Sequence, residues 1–115
     1  VQECYAAFGG DFDDAVGRLR SEERIRKFLT LFLKDTCISD LEGAMQNGNA
    51  EAAFRAAHTL KGICGNLSLR ALSAAVAELT EALRGKTEIG QDAFPLFETA
   101  KAAYETTAQA IRLLP

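Results

Sequence analysis

Apolar residues recur every three or four positions along most of the 115-residue chain, and no stretch alternates them one by one. That period predicts helices and no strands. Gln2 to Phe8 reads as a short first helix ended by Gly9-Gly10. Asp11 then stands as the N-cap of a second short helix, with Asp13 and Asp14 at its positive end and Phe12, Ala15, Val16 and Leu19 as its stripe. Ser21 reads as the cap of one long helix reaching Gln46, with Ile25, Phe28, Leu29, Phe32, Leu33, Leu41 and Met45 on its apolar face and no proline to interrupt it. Asn47-Gly48 ends that helix and Asn49 caps the next. Ser68 reads as the cap of a further helix carrying Leu69, Leu72, Val76, Leu79 and Leu83, stopped by Gly85. After the loop Lys86 to Gln91, Asp92 stands as the cap of a last helix, where Pro95 is tolerated in the first turn. Its stripe is Phe97, Ala100, Tyr104, Ala108 and Ile111. Four long amphipathic helices with short links pack antiparallel, because a short loop returns the chain alongside itself. The expected fold is therefore all-α: an antiparallel up-down four-helix bundle with a short additional N-terminal helix, in one domain over residues 1–115.

The helix that begins after Asn49 differs from the others. Wound at ~100° per residue, Ala53, Ala56, Leu60, Ile63, Cys64 and Leu67 fall on one half. The single histidine, His58, faces the opposite way. Glu51, Arg55, Gly62 and Gly65 lie within about 60° of it, and Lys61 about 60° to the other side. Inside a helix each glycine costs roughly 0.8–1 kcal/mol against alanine. Two glycines on the face of the histidine suggest that something must approach that face closely. Phe54 lies about 40° from His58, on the wrong side for the core. It is either an exposed anchor for a partner or a contact with a neighbouring helix.

Composition narrows the function. With 48% hydrophobic and 25% charged residues the chain is globular, and its length suits one core. The net charge of −3 argues against binding nucleic acid or an anionic membrane, both of which need clustered Lys and Arg. No apolar run is long enough to span a bilayer, and no signal peptide is visible. The chain begins at Val1, as a fragment would. Cys4, Cys37 and Cys64 have no metal spacing and, with one histidine, make no zinc set, so no metal site is expected. A reducing cytoplasm fits three such cysteines best.

An imidazole is a nucleophile near neutral pH, its ordinary pKa being about 6.5. It can take a phosphoryl group on nitrogen and release it again. A complete nucleophilic site would need a base, an orienting group and a pocket. The chain offers no second histidine, no triad and no Gly-rich phosphate loop, so His58 reads as a carrier without its own ATP site. Lys61, one turn on, can approach phosphate oxygens, and Arg55 can do so from the other end. The alternative for both is a solvated charge.

The run Ala57-His58-Thr59-Leu60-Lys61-Gly62 resembles the H-x-L-K-G signature of histidine-containing phosphotransfer (HPt) domains. The likeness extends to the preceding LFLKDTCISDLEGAMQNGN and the following LxxxVxxLxxAL run. The resemblance implies an antiparallel four-helix bundle that shuttles phosphoryl groups between aspartates of receiver domains in multistep two-component relays. It implies that His58 is the phosphorylated residue, Lys61 the phosphate neighbour and Gly62 the clearance for the partner. Docking would cover Glu51, Phe54, Arg55, His58, Gly62 and Gly65. It further implies no cofactor on this domain, Mg2+ on the receiver, and a monomer whose partner is the receiver of a response regulator or hybrid histidine kinase. Where the family often has Gly-Ala after the leucine matching Leu67, this chain has Ser68-Leu69. Two other readings compete: the phosphorylatable domain of a chemotaxis-type kinase, and a helical module that docks a partner without being phosphorylated.

Overall fold

The computed structural model describes residues 1–114, which contain seven helices and no strand. They are α1 (Gln2–Ala7), α2 (Phe12–Leu19), α3 (Glu22–Lys34), α4 (Cys37–Gln46), α5 (Ala50–Asn66), α6 (Arg70–Leu83) and α7 (Ala93–Arg112). α5 packs between α4 and α6, and α6 packs on α7. α7 also touches α1, α3 and α4. The body is elongated, 42 × 23 × 19 Å, as expected when a 20-residue helix runs ~30 Å along its axis.

The single long helix expected from Ser21 to Gln46 is two helices. Ser21 does cap the first, its Oγ accepting from the Arg24 N–H at 3.2 Å. At Asp35 the backbone becomes extended, with ψ 141°. The Asp35 carboxylate accepts the Cys37 N–H at 2.8 Å, and the Thr36 hydroxyl donates to Asp40 at 3.2 Å. Short polar side chains of this kind compete with the helix for backbone groups. The break frees α3 from the direction of α4, and α3 packs on α2 and α7. It also alters the expected stripe. Ile25, Leu29 and Phe32 are buried, but Phe28 is 38% exposed. Phe28 lines an open groove of about 560 Å³ with Leu31, Phe32, Ile63 and Leu67.

Elsewhere the caps divide. Asp11 accepts from the Asp14 N–H, and Asn49 from the Ala52 N–H, each at 3.0 Å. Asp92 stands at the start of α7 with a helical backbone and makes no side-chain cap bond. Ser68 does not cap α6 either; that position falls to Leu69. Ser68 is buried in the turn with φ +57°, and its hydroxyl donates to Asp14 Oδ2 at 2.5 Å. The turn is also tied to the N-terminal segment. The Tyr5 hydroxyl donates to the Leu67 carbonyl at 2.8 Å, and the Asp11 N–H to the Ser68 carbonyl at 2.9 Å. α1 and α2 thus brace the C-terminal end of α5.

The core follows the stripes of the last three helices closely. Ala53, Leu60, Cys64 and Leu67 of α5 and its turn, Leu69, Leu72, Val76, Leu79 and Leu83 of α6, and Phe97, Ala100, Tyr104, Ala108 and Ile111 of α7 are all buried. Ala56 and Ile63, assigned to the same half of α5, are only half-buried. Ala57, outside the predicted stripe, is fully buried. The buried arc of α5 is wider than one stripe because α5 has α4 on one side and α6 on the other.

Candidate functional site

α5 needs good helix formers and a firm start, and has both: Asn49 caps it, and five alanines lie from Ala50 to Ala57. Its core face anchors it, since burying a leucine such as Leu60 contributes roughly 1.5–3 kcal/mol. His58 then stands near mid-helix with its side chain exposed. Thr59 beside it and Gly62 one turn on are exposed as well. A Cβ built at Gly62 would meet nothing within 4 Å, and the same holds at the half-buried Gly65. The surface on this side of His58 is therefore bare of side chains.

The charged neighbours are not alike. Arg55 and Glu51, both exposed, are paired with each other at 2.6 Å one turn apart. Such surface pairs contribute little to stability, but this one occupies the guanidinium. Lys61 is half-buried and, among the described residues, makes no direct ion pair. Its charge reaches across to α6, where it adds a small part to the lowering of the Glu81 carboxyl. The main cause of that lowering is the pair of hydrogen bonds from Arg84, at 3.1 and 3.0 Å.

Phe54 meets a neighbouring helix, one of the two alternatives expected of it, and also makes a contact within its own helix. It is half-buried against the edge of the core. Its ring stacks on the His58 imidazole, with centroids 5.8 Å apart and planes 16° apart. Arg84, from the end of α6, lies over the same ring at 5.1 Å from its centroid. The structure thus brings together on one face His58, Phe54, Lys61 and Gly62 of α5, with Arg84 and Glu81 of α6. Arg55 and Glu51 lie on the same helix but face each other.

Reading the sequence missed Arg84 and Glu81. They lie more than twenty residues beyond His58, and the phase of one helix against another cannot be read from periodicity. The one signal available was their own spacing, an i, i+3 acid–base pair at the end of a helix.

Chemically, the arrangement is one exposed nitrogen nucleophile with a free cation near it and open space above. The carboxylate nearest to hand, Glu81, is taken up by its two hydrogen bonds from Arg84. Among the described residues no group of three or more His, Cys, Asp and Glu comes together to hold a metal. No described helix is long and apolar enough to cross a membrane. The burial of Cys64 pushes its thiol up to about 12, which leaves it inert beside the site.

The described chain is all-helical and presents its one histidine on an open helix face. The family model of the Hpt domain matches residues 27–111, and the chain belongs to that family. The family performs histidine phosphotransfer in two-component signalling, and its members are phosphocarriers that interact with receiver domains. The match spans α4 to α6, most of α3 and nearly all of α7, and leaves α1 and α2 outside it. The comparison with curated proteins found no match, and neither did the comparison with solved structures.

Proposed function

We propose that residues 1–115 form one phosphocarrier domain, in which His58 accepts a phosphoryl group from the aspartate of one receiver and passes it to another in a multistep relay. In this reading α4, α5, α6 and α7 make an antiparallel up-down four-helix bundle, and the shorter N-terminal helices α1 and α2 and the helix α3 precede it. The observation that carries the proposal is the exposure of His58 beside open space at Gly62, on the face of α5 turned from its buried residues.

The imidazole nitrogen attacks the phosphorus of the aspartyl phosphate. The N–P bond forms as the P–O bond to the aspartate breaks, and the carboxylate leaves. Positioning supplies most of the rate, because the chain brings a nucleophile and a charge and little else. Lys61 stands one turn from His58, where an ammonium can meet phosphate oxygens. Arg55 serves less well while Glu51 holds it. Gly62 and Gly65 leave room for the receiver, and Phe54 borders the docking face. The receiver brings Mg2+ and the rest of the catalytic apparatus; this domain binds no cofactor and works as a monomer in the cytoplasm.

The test is incubation with a phosphorylated receiver, wild type beside His58→Gln. Wild type should take the phosphoryl group. The variant should take none and keep its circular dichroism, since losing an exposed side chain opens no cavity. Labelling that persists in the variant overturns the assignment of His58. Phosphorylation by an ATP-bound kinase domain alone moves the reading to the chemotaxis-type class.

A further inference from the structure

The imidazole of an exposed histidine ordinarily turns among several rotamers, and most of them do not present the attacking nitrogen to a docked partner. His58 is constrained by a neighbour four residues back. Side chains at i and i+4 lie over one another on a helix. Phe54 and His58 use that register to stack, with a centroid distance of 5.8 Å inside the ordinary range of aromatic pairs. Phe54 is in turn held, half-buried against the core edge and covered by the Arg84 guanidinium at 5.1 Å. Arg84 is itself fixed by two hydrogen bonds to Glu81. A chain of contacts thus runs from the end of α6 through Phe54 to the imidazole.

We infer that Phe54 is a positioning residue for phosphoryl transfer, setting the plane of the His58 imidazole through a stack that Arg84 and Glu81 brace from α6. The inference rests on the phosphocarrier reading above. It gives Phe54 a part in the step itself. The N–P bond forms along the axis of the breaking aspartyl O–P bond, so the ring plane decides how often the nitrogen lies on that axis. A misplaced nucleophile loses rate steeply. The inference also separates Phe54 from a docking anchor, because an anchor changes how tightly the receiver is held and a positioning residue changes how fast the bound pair reacts.

Phe54→Leu keeps an apolar side chain and removes the planar ring; Phe54→Tyr keeps the ring. Transfer from a phosphorylated receiver is measured in single turnover against receiver concentration. The imidazole ring-proton shifts of His58 are read by NMR on the free domain, and melting is followed on the same samples. The Leu variant should lower the limiting rate by about 2- to 10-fold, the worth of one aromatic pair. Its half-saturating receiver concentration should not change. Its ring-proton shifts should move towards those of free imidazole, and the Tyr variant should restore both rate and shifts. A Leu variant with the wild-type limiting rate overturns the inference. So does one in which only the half-saturating concentration rises, and so does one whose ring-proton shifts match wild type. A wild-type domain that accepts no phosphoryl group overturns the phosphocarrier reading instead, and is told apart because the shifts still report the stack without any partner.

Discussion

Enlarging Gly62 should push stability and function in opposite directions. Gly62 lies one turn beyond His58 on the same face, is exposed, and has nothing within 4 Å of the place a Cβ would take. Gly62→Gln therefore meets no clash in the free domain. The helix gains about 0.5 kcal/mol, because glycine costs close to 1 kcal/mol against alanine and glutamine only a few tenths. For a domain of this size that raises the melting temperature by about 2–4 °C. The same side chain rises beside the imidazole, where the receiver must bring its phosphoryl group to roughly 3–3.5 Å from the nitrogen. A displacement of even ~1 Å costs on the order of 100-fold in rate. Gly62→Ala, with a single added carbon, should stabilise more and slow transfer less. Melting and transfer from a phosphorylated receiver are measured on one sample of each variant. A Gln variant that melts below wild type would show that Gly62 serves close packing of α5. One that transfers at the wild-type rate would refute the clearance argument.

Lys61→Ala should slow transfer or shorten the lifetime of the phosphohistidine, most clearly at low salt, without abolishing acceptance; a wild-type rate and lifetime at low salt would make Lys61 a bystander charge. The Asp14 carboxyl is held below its ordinary value first by the Ser68 hydrogen bond and then by Arg18. Its contribution to stability is thus full above the usual aspartate pKa of about 4 and is lost as pH falls through the lower folded value. Asp14→Asn should melt below wild type at neutral pH, with the gap closing as pH falls below the usual aspartate value of about 4, and a gap that stays constant on acidification would refute the linkage. At position 68, Gly and Ala both remove the hydroxyl, so their difference isolates the left-handed backbone at φ +57°. Gly should be the more stable of the two by about 0.5–1.5 kcal/mol in urea unfolding, and Ala equal to or above Gly would refute strain at this turn.

How much of this was legible depended on whether a feature lies within one helix or between two. The faces of α6 and α7 were readable because large apolar residues mark them, and every residue assigned to them is in the core, although Thr80 and Thr107 are buried beside them unannounced. α5 was readable for His58 and less so for its flanks, since contact with both α4 and α6 draws in Ala57. The break at Asp35-Thr36 carries no proline or glycine, and its signal is a side-chain competition that many intact helices also contain. The turn at Ser68 was misread for a related reason. Serine is an ordinary N-cap, and only the packed turn shows it in a left-handed conformation with its hydroxyl spent on Asp14.

The departure of this chain from the family pattern at Ser68-Leu69 then has a physical account. A turn that needs positive φ is met at low cost by glycine, whereas serine is strained there. Here the strained residue donates to Asp14 of α2, a helix outside the stretch matched by the family. Tyr5 of α1 adds its hydroxyl to the Leu67 carbonyl in the same turn. The two N-terminal helices and the serine therefore belong together: removing α1 and α2 would leave Ser68 with its backbone strain and without its partner. The turn ends the helix that carries His58. On this argument Ser68→Gly should matter little in the intact domain, where the lost hydrogen bond offsets the relieved strain. It should stabilise a domain whose Asp14 has been replaced by asparagine more than it stabilises the wild type.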